Sequence, residues 1–268
     1  MHEIDVNYFV CPVTKSALRN KGGDLITAET EVAYDNKGGF WNFIPKNLHV
    51  LNNKMWQVWN QLQDNGVVAY DNNPTSNLGI GPRVDFINFG EFCDYKGLVL
   101  DIGVGPQELP THIEYVKAAN DYSFIGIDPL VGQQPRKFPF VLGLGEYLPF
   151  RDELFDRVLY VTSLDHFVDP VETLLEAKRV LKPDGIICIW IGEKDVNTPK
   201  PTESPEWYKK LEIPEGAQDP FHFKRFTVSE LKEYLVAAGL KVYEEVEMKV
   251  DEWRKNVFFK VVKPDFVQ

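Results

Sequence analysis

The chain has 268 residues, 44% of them hydrophobic, and a formal net charge of −11. That length allows one large domain, or one with a small module, and the acidic balance excludes a broad cationic footprint for nucleic acid. No apolar run approaches a membrane span and no basic-then-apolar leader opens the sequence, so no membrane partner is expected and the cytoplasm is the expected compartment.

Residues 1–47 form a compositional unit of short β-like runs, broken by Gly22-Gly23 and Asp35-Asn36 turns. The three cysteines, Cys11, Cys93 and Cys188, lie far apart and imply neither a disulfide framework nor a metal cluster. Residues 48–95 read as a helical cap or linker. Leu51, Met55, Trp56, Trp59 and Leu62 fall near the i, i+4, i+8 spacing of one helix face. Asn72-Asn73-Pro74 breaks that run, and a second short helix over 82–92 carries Phe86, Phe89 and Phe92. Such stripes pack as core, or roof a pocket, with Tyr70 and Arg83 at its rim. Residues 96–268 alternate apolar strands with helices. Strands are expected at 98–102, 123–127, 138–142, 156–162 and 185–191, and helices at 106–119, 170–181 and 228–238. Asp169-Pro170 reads as an N-cap with proline at the first helical position. Thr227 with Glu230 and Gly239 frame the late helix. A final antiparallel pair is expected at 241–247 and 254–262. The proline-rich segment 192–225 reads as an excursion or lid.

The most informative stretch is LVLDIGVGP, residues 98–106. A buried strand ends in Asp101, and a loop with Gly103 and Gly105 follows. Glycine there lets the backbone take φ > 0 and approach a ligand closely. A second strand, FIGI, ends in Asp128, followed by Pro129. Strand, glycine loop, helix, strand and terminal acid make a nucleoside-binding half. The acid precedes the glycines, unlike the dinucleotide G-x-G-x-x-G, so no pyrophosphate is implied. The ligand should carry a ribose for Asp128 and a positive centre tolerant of Asp101. S-adenosylmethionine (SAM) has both.

With these residues, the chain resembles the class I SAM-dependent methyltransferases over roughly residues 95–262. The likeness extends through GLGEYLPFRDELFDRVLYVTSLDHFVDPVETLLEAKRVLKPDGIICIWI, residues 143–191. It implies a Rossmann-like α/β fold with a seven-stranded sheet of order 3-2-1-4-5-7-6, strand 7 antiparallel, and S-adenosylhomocysteine as product. Cofactor contacts are then expected from Asp101, Gly103, Gly105, Asp128, Pro129, Leu144, Gly145, Glu146 and Thr162. Where relatives carry an acid for the adenine amino group, this chain has Leu144, and Glu146 is expected to pin the loop.

Acceptor chemistry rests on SLDHFVDP after the fourth strand. His166, beside Asp165, is the first candidate base, because histidine titrates near neutrality. His222, within FHFKRF, is the second, with Arg225 as a candidate for binding substrate. No paired ligand spacing among the five histidines suggests a catalytic metal. Residues 1–47 resemble the short zinc-ribbon-like methyltransferase activators, but only Cys11-Pro12 of the ligand pattern is kept and Thr14 replaces the next cysteine. A metal-free module is therefore expected, held by Phe40, Trp41, Phe43 and Ile44, with docking, homodimerisation, covering the site or a purely structural role open to it. The leading expectation is methyl transfer from SAM to a small-molecule acceptor, at oxygen, such as a sugar or a biosynthetic intermediate. The alternatives are an RNA or protein methyltransferase with a fused activator, disfavoured by the TSLDHF stretch and the acidic charge, and a SAM-binding protein without turnover.

Overall fold

The structure, a computed structural model, describes residues 4–28, 31–36, 38–46, 54–119, 121–133, 135–195, 197–198 and 203–266. The N-terminal unit supplies β1 (Leu18–Lys21), β2 (Asp24–Thr27), β3 (Ala33–Tyr34) and β4 (Trp41–Asn42). The first three make a small antiparallel sheet. Helices α1 (Lys54–Asn72), α2 (Pro74–Asn77) and α3 (Val84–Cys93) lead into β5 (Gly97–Ile102), one-turn α4 (Thr111–Glu114), β6 (Tyr122–Asp128) and β7 (Phe140–Leu142). Then come β8 (Phe155–Val161), α5 (Pro170–Val180), β9 (Leu181–Lys194), one-turn α6 (Glu206–Lys209), α7 (Val228–Ala237), β10 (Lys241–Lys249) and β11 (Arg254–Val262).

The main sheet has the order β10-β11-β9-β8-β5-β6-β7-β4. Counted from β5, seven of these strands stand as 3-2-1-4-5-7-6, with β11 antiparallel to both neighbours. The apolar β5 lies at the centre because Val99, Leu100 and Ile102 are fully buried there. Such continuous apolar runs suit a parallel strand covered on both faces. The sheet is eight-stranded rather than seven-stranded, because β4 adds to the edge, parallel to β7.

That eighth strand joins the N-terminal unit to the core. Trp41 and Asn42 pair with Val141 and Leu142, and the Phe43 amide donates to the Leu142 carbonyl at 2.7 Å. Val10 donates to the Pro149 carbonyl, and Arg151 to that of Tyr8. The Phe9 ring packs at a tilt against both Phe43 and Phe150, with centroids at 4.8 and 5.6 Å. Lys15 reaches across to Glu176 at 2.5 Å. Of the four aromatic and aliphatic anchors, Phe43 is wholly buried, in the same cluster as Ile127, Leu148 and Phe155. Cys11 makes no cluster of three metal-ligating side chains among the described residues; its sulfur lies 3.2 Å from the Tyr34 hydroxyl and accepts the Thr14 amide at 3.4 Å. Since one apolar core serves both parts, Phe43→Ala should destabilise the whole chain by about 3–5 kcal/mol. A single urea transition with a lowered midpoint is the expected reading; an early transition confined to the N-terminal unit would contradict the shared core.

Two helices differ from expectation. The helix expected over 106–119 shrinks to the single turn α4. The chain at its start is tied down as a loop instead: Arg136 donates to the carbonyls of Gly105 and Gln107, and the Gln107 side chain donates to that of Val104. Pro110 has no N–H to continue a helix and stands at the N-cap of α4. In α1 the buried stripe is Trp56, Trp59, Leu62, Asn65 and Ala69, and Met55 is 40% exposed. Leu51 lies outside the described residues. The late helix keeps its capping box: Thr227 accepts from the Glu230 amide, and Glu230 accepts from that of Thr227.

Candidate active site

A cavity of about 450 Å³ opens at the carboxyl ends of β5, β6 and β8, where open α/β sheets bind ligands. Helix α1 covers one side with Trp59, Leu62, Gly66 and Tyr70, and the segment after α6 covers another with Phe221, His222 and Arg225. Every site residue expected from the sequence lines this cavity except Asp101.

Asp101 is fully buried, and its Oδ2 lies 2.9 Å from His112 Nε2. It therefore reaches the cavity through the histidine, which lines it. Asp101 Oδ1 and His112 Nδ1 have no hydrogen-bond partner among the described residues. Phe86 stacks on the His112 ring at 6.3 Å. His112 was not foreseen; one histidine in a short THIE segment carries no pattern that a reader could use.

Gly103 and Gly105 both have φ +78°. A Cβ on Gly103 would stand 2.6 Å from that of Ser163, so the β5 and β8 loops interlock there. At Gly105 the nearest atoms are 3.7 Å away, which leaves the backbone open to the cavity. Asp128 accepts the Gly105 amide on one oxygen and the Leu130 amide on the other, both at 2.8 Å. Burial pushes its carboxyl up to about 6, against the opposing pull of Arg136 and the two amides. Arg136, also not foreseen, holds the loops together by donating to Gly105 and Leu130 at 2.6 and 2.7 Å, with its guanidinium 3.7 Å above the Phe140 ring.

The third wall is Leu144, Gly145 and Glu146. Glu146 accepts the Val168 amide at 2.8 Å and fixes the β8 loop, as a pin does; burial raises its carboxyl to about 7. Thr162, at the end of β8, has φ +54°. That is an outlying conformation for a β-branched residue, and such strain gathers at functional sites.

The acceptor side gathers residues far apart in sequence. The His166 and His222 rings lie tilted with centroids 4.5 Å apart, and Asp165 sets Oδ1 3.7 Å from the Nε2 of His166 and Oδ2 3.7 Å from that of His222. The His166 side chain is 29% exposed. Enclosure, and then the neighbouring His222, push its pKa down to about 4, so at neutral pH it holds a free lone pair. Trp59 of α1 donates to the His166 carbonyl at 3.0 Å and fixes the turn. Asp219, also missed, binds His222 Nδ1 at 2.8 Å and Arg225 Nε at 3.0 Å. Its D-x-x-H spacing to His222 was a legible signal. Against the pull of burial, those bonds hold Asp219 below the usual carboxylate range. Arg225 is thus ion-paired rather than free. Arg83 is likewise tied to Asp85 at 2.5 Å, beside the cavity. Burial, with the charges of Asp128 and Asp165, raises the Tyr70 phenol, which therefore senses both halves of the cavity.

This strand order and cleft define an α/β fold of the class I methyltransferase type. Residues 100–189 match the family model described as a methyltransferase domain. Over 101 residues the chain is 34% identical to an uncharacterized protein of Methanocaldococcus jannaschii, covering 37% of this chain and 46% of that one. The chain thus spans less than half the length of that relative. A chain from a Haloferax volcanii complex containing the Trm112 methyltransferase activator superposes with TM-score 0.54 at 18% identity, covering 74% of this chain and 97% of that one. A Haemonchus contortus phosphoethanolamine N-methyltransferase superposes with TM-score 0.53 at 16% identity, covering 75% and 57%. At these identities the structures establish the shared fold.

Proposed function

We propose that the protein transfers a methyl group from SAM to a small-molecule acceptor, most simply at an oxygen. The observation that carries this reading is the single cavity joining the glycine loop and Asp128 to the Asp165–His166–His222 cluster. The cofactor half suits SAM chemically. Asp128 keeps further lone pairs beyond the two amides it accepts, enough for a pair of ribose hydroxyls. Gly105 presents open backbone to the cavity. The Haemonchus contortus relative, whose structure holds S-adenosylhomocysteine, supports the same reading.

Bound SAM supplies an electrophilic methyl on a sulfonium. The protein's part is positioning and proton removal. Leu144 and Gly145 offer apolar surface and backbone to the adenine, and Glu146 keeps that wall in place. Tyr70 borders both halves. His166, neutral and open to the cavity, takes the proton of the acceptor hydroxyl, and Asp165 orients it. The coverage by α1 and the segment around His222 favours an acceptor that fits inside over a macromolecular strand. The test is calorimetry with SAM and S-adenosylhomocysteine, followed by a screen of small hydroxylated acceptors for methyl consumption. Absence of cofactor binding would refute the reading.

The raised carboxyl of Asp128 adds a pH dependence. Above about 6 it is ionised and accepts hydroxyl donors; below, it carries a proton. The ligand favours the ionised form, so affinity should fall as pH drops through 6, approaching about tenfold per unit below it. Titrations at pH 5 and 7.5 in one ionic strength check this; a flat profile removes Asp128 from the ribose site.

A further inference from the structure

We infer that Asp165, His166 and His222 form a binding site for one divalent transition-metal cation on the acceptor side of the cavity. The inference rests on the acceptor-side reading above for its catalytic consequence, but not for the binding itself.

Each of the three offers one ligand atom, and these atoms lie within 4.8 Å of one another. Two imidazoles and a carboxylate are the donor set of three-ligand sites that keep a position open for water or substrate. Ligand atoms about 2.1 Å from one cation sit roughly 3–3.5 Å apart. Asp165 now sets Oδ1 3.7 Å from His166 Nε2 and Oδ2 3.7 Å from His222 Nε2, so the three side chains must rotate inward for one carboxylate oxygen to join both imidazoles on one cation.

A second, independent feature concerns His222. Asp219 Oδ1 lies 2.8 Å from its Nδ1. A carboxylate only accepts, so Nδ1 carries the proton and Nε2, the atom facing Asp165, keeps its lone pair. A carboxylate behind the far nitrogen of a histidine is the usual outer support of a metal-ligating imidazole. Arg225 Nη2 also stands 3.0 Å from Nδ1, which would suit the opposite tautomer, but the carboxylate is nearer and holds Arg225 by its Nε. The arginine's charge is thereby balanced by Asp219. Lys194 is a further cation near Asp165 and Asp219, and it lines the wider cavity.

A cation here would take an acceptor hydroxyl oxygen at its open position. The O–H bond would break with its proton passing to solvent, and the oxygen would keep the electron pair that attacks the methyl carbon. The S–CH₃ bond pair would then return to sulfur. With the cation bound, His166 serves as ligand and solvent takes the proton; without it, His166 keeps the role of base given above.

The test is titration of the chelator-treated full chain with Zn²⁺ and, separately, Mn²⁺, by calorimetry, with Co²⁺ absorption to report the ligand field. The expected result is saturable binding of one equivalent of at least one of these ions. His222→Ala and Asp165→Ala should weaken it at least about a hundredfold. Asp219→Asn should weaken it about ten- to a hundredfold with the stoichiometry kept, a graded loss that a merely structural Asp219 would not give. Cys11→Ser should bind as the unaltered chain does. Circular dichroism and S-adenosylhomocysteine binding on the same samples report folding and the cofactor half separately. No saturable binding by the intact chain, or undiminished binding by folded His222→Ala, overturns the metal site and leaves the cofactor reading standing. Metal binding without S-adenosylhomocysteine binding does the reverse.

Discussion

His166→Ala is expected to lower turnover by about 10²–10⁴, the range for loss of a group that handles the transferred proton. SAM affinity should stay near that of the unaltered chain. The physical reason is position: His166 follows β8 on the acceptor side, whereas Asp128 and the glycine loop stand on the other. The turn itself should survive, because Trp59 bonds the His166 backbone carbonyl, which alanine keeps. Both ways the ring can serve, as a base or as a metal ligand, are lost together. Initial rates with an acceptor from the screen, beside cofactor calorimetry, give the split. Near-normal turnover in His166→Ala, with loss in His222→Ala, would move the chemistry to the segment after α6. If both variants keep full turnover, the acceptor reacts without protein assistance and the cluster has no chemical role.

Asp128→Ala should weaken SAM and S-adenosylhomocysteine about ten- to a hundredfold, since a hydrogen bond to a charged group is worth about 1.5–3 kcal/mol. The variant also frees the amides of Gly105 and Leu130, so part of the loss comes from the loop rather than the ribose. Arg136 still ties the carbonyls of the same two residues, which limits that collapse. Asp128→Asn separates the contributions: it keeps an acceptor oxygen, changes the charge, and should fall between the other two. Equal calorimetric affinity in all three proteins would rule out the ribose role.

Much of this molecule was legible as a string. The continuous apolar run before Asp101, the glycines after it and the acid at 128 specify a parallel strand, an open loop and a second strand end, because backbone φ and burial pattern depend on local residue type. The Asp169 cap with Pro170 and the Thr227–Glu230 box are likewise local, and α5 and α7 start where those residues stand. The largest local departure was the helix after Pro106. Arg136, about thirty residues on, bonds the carbonyls of Gly105 and Gln107 at its start, and nothing nearby in sequence announces that competition.

What the sequence by itself determined is therefore the α/β alternation, the glycine cradle and the two strand-end acids. Only the tertiary structure decided three things. It placed Asp101 behind His112 instead of on the cavity wall. It made the N-terminal unit the eighth strand of the main sheet, since an edge strand offers unpaired backbone groups to any segment that reaches it. And it brought His222, with Asp219 behind it, against Asp165 and His166. Spacing along the chain reports neighbours on one helix face or one strand; residues more than fifty positions apart meet only when packing brings their segments over the same sheet end.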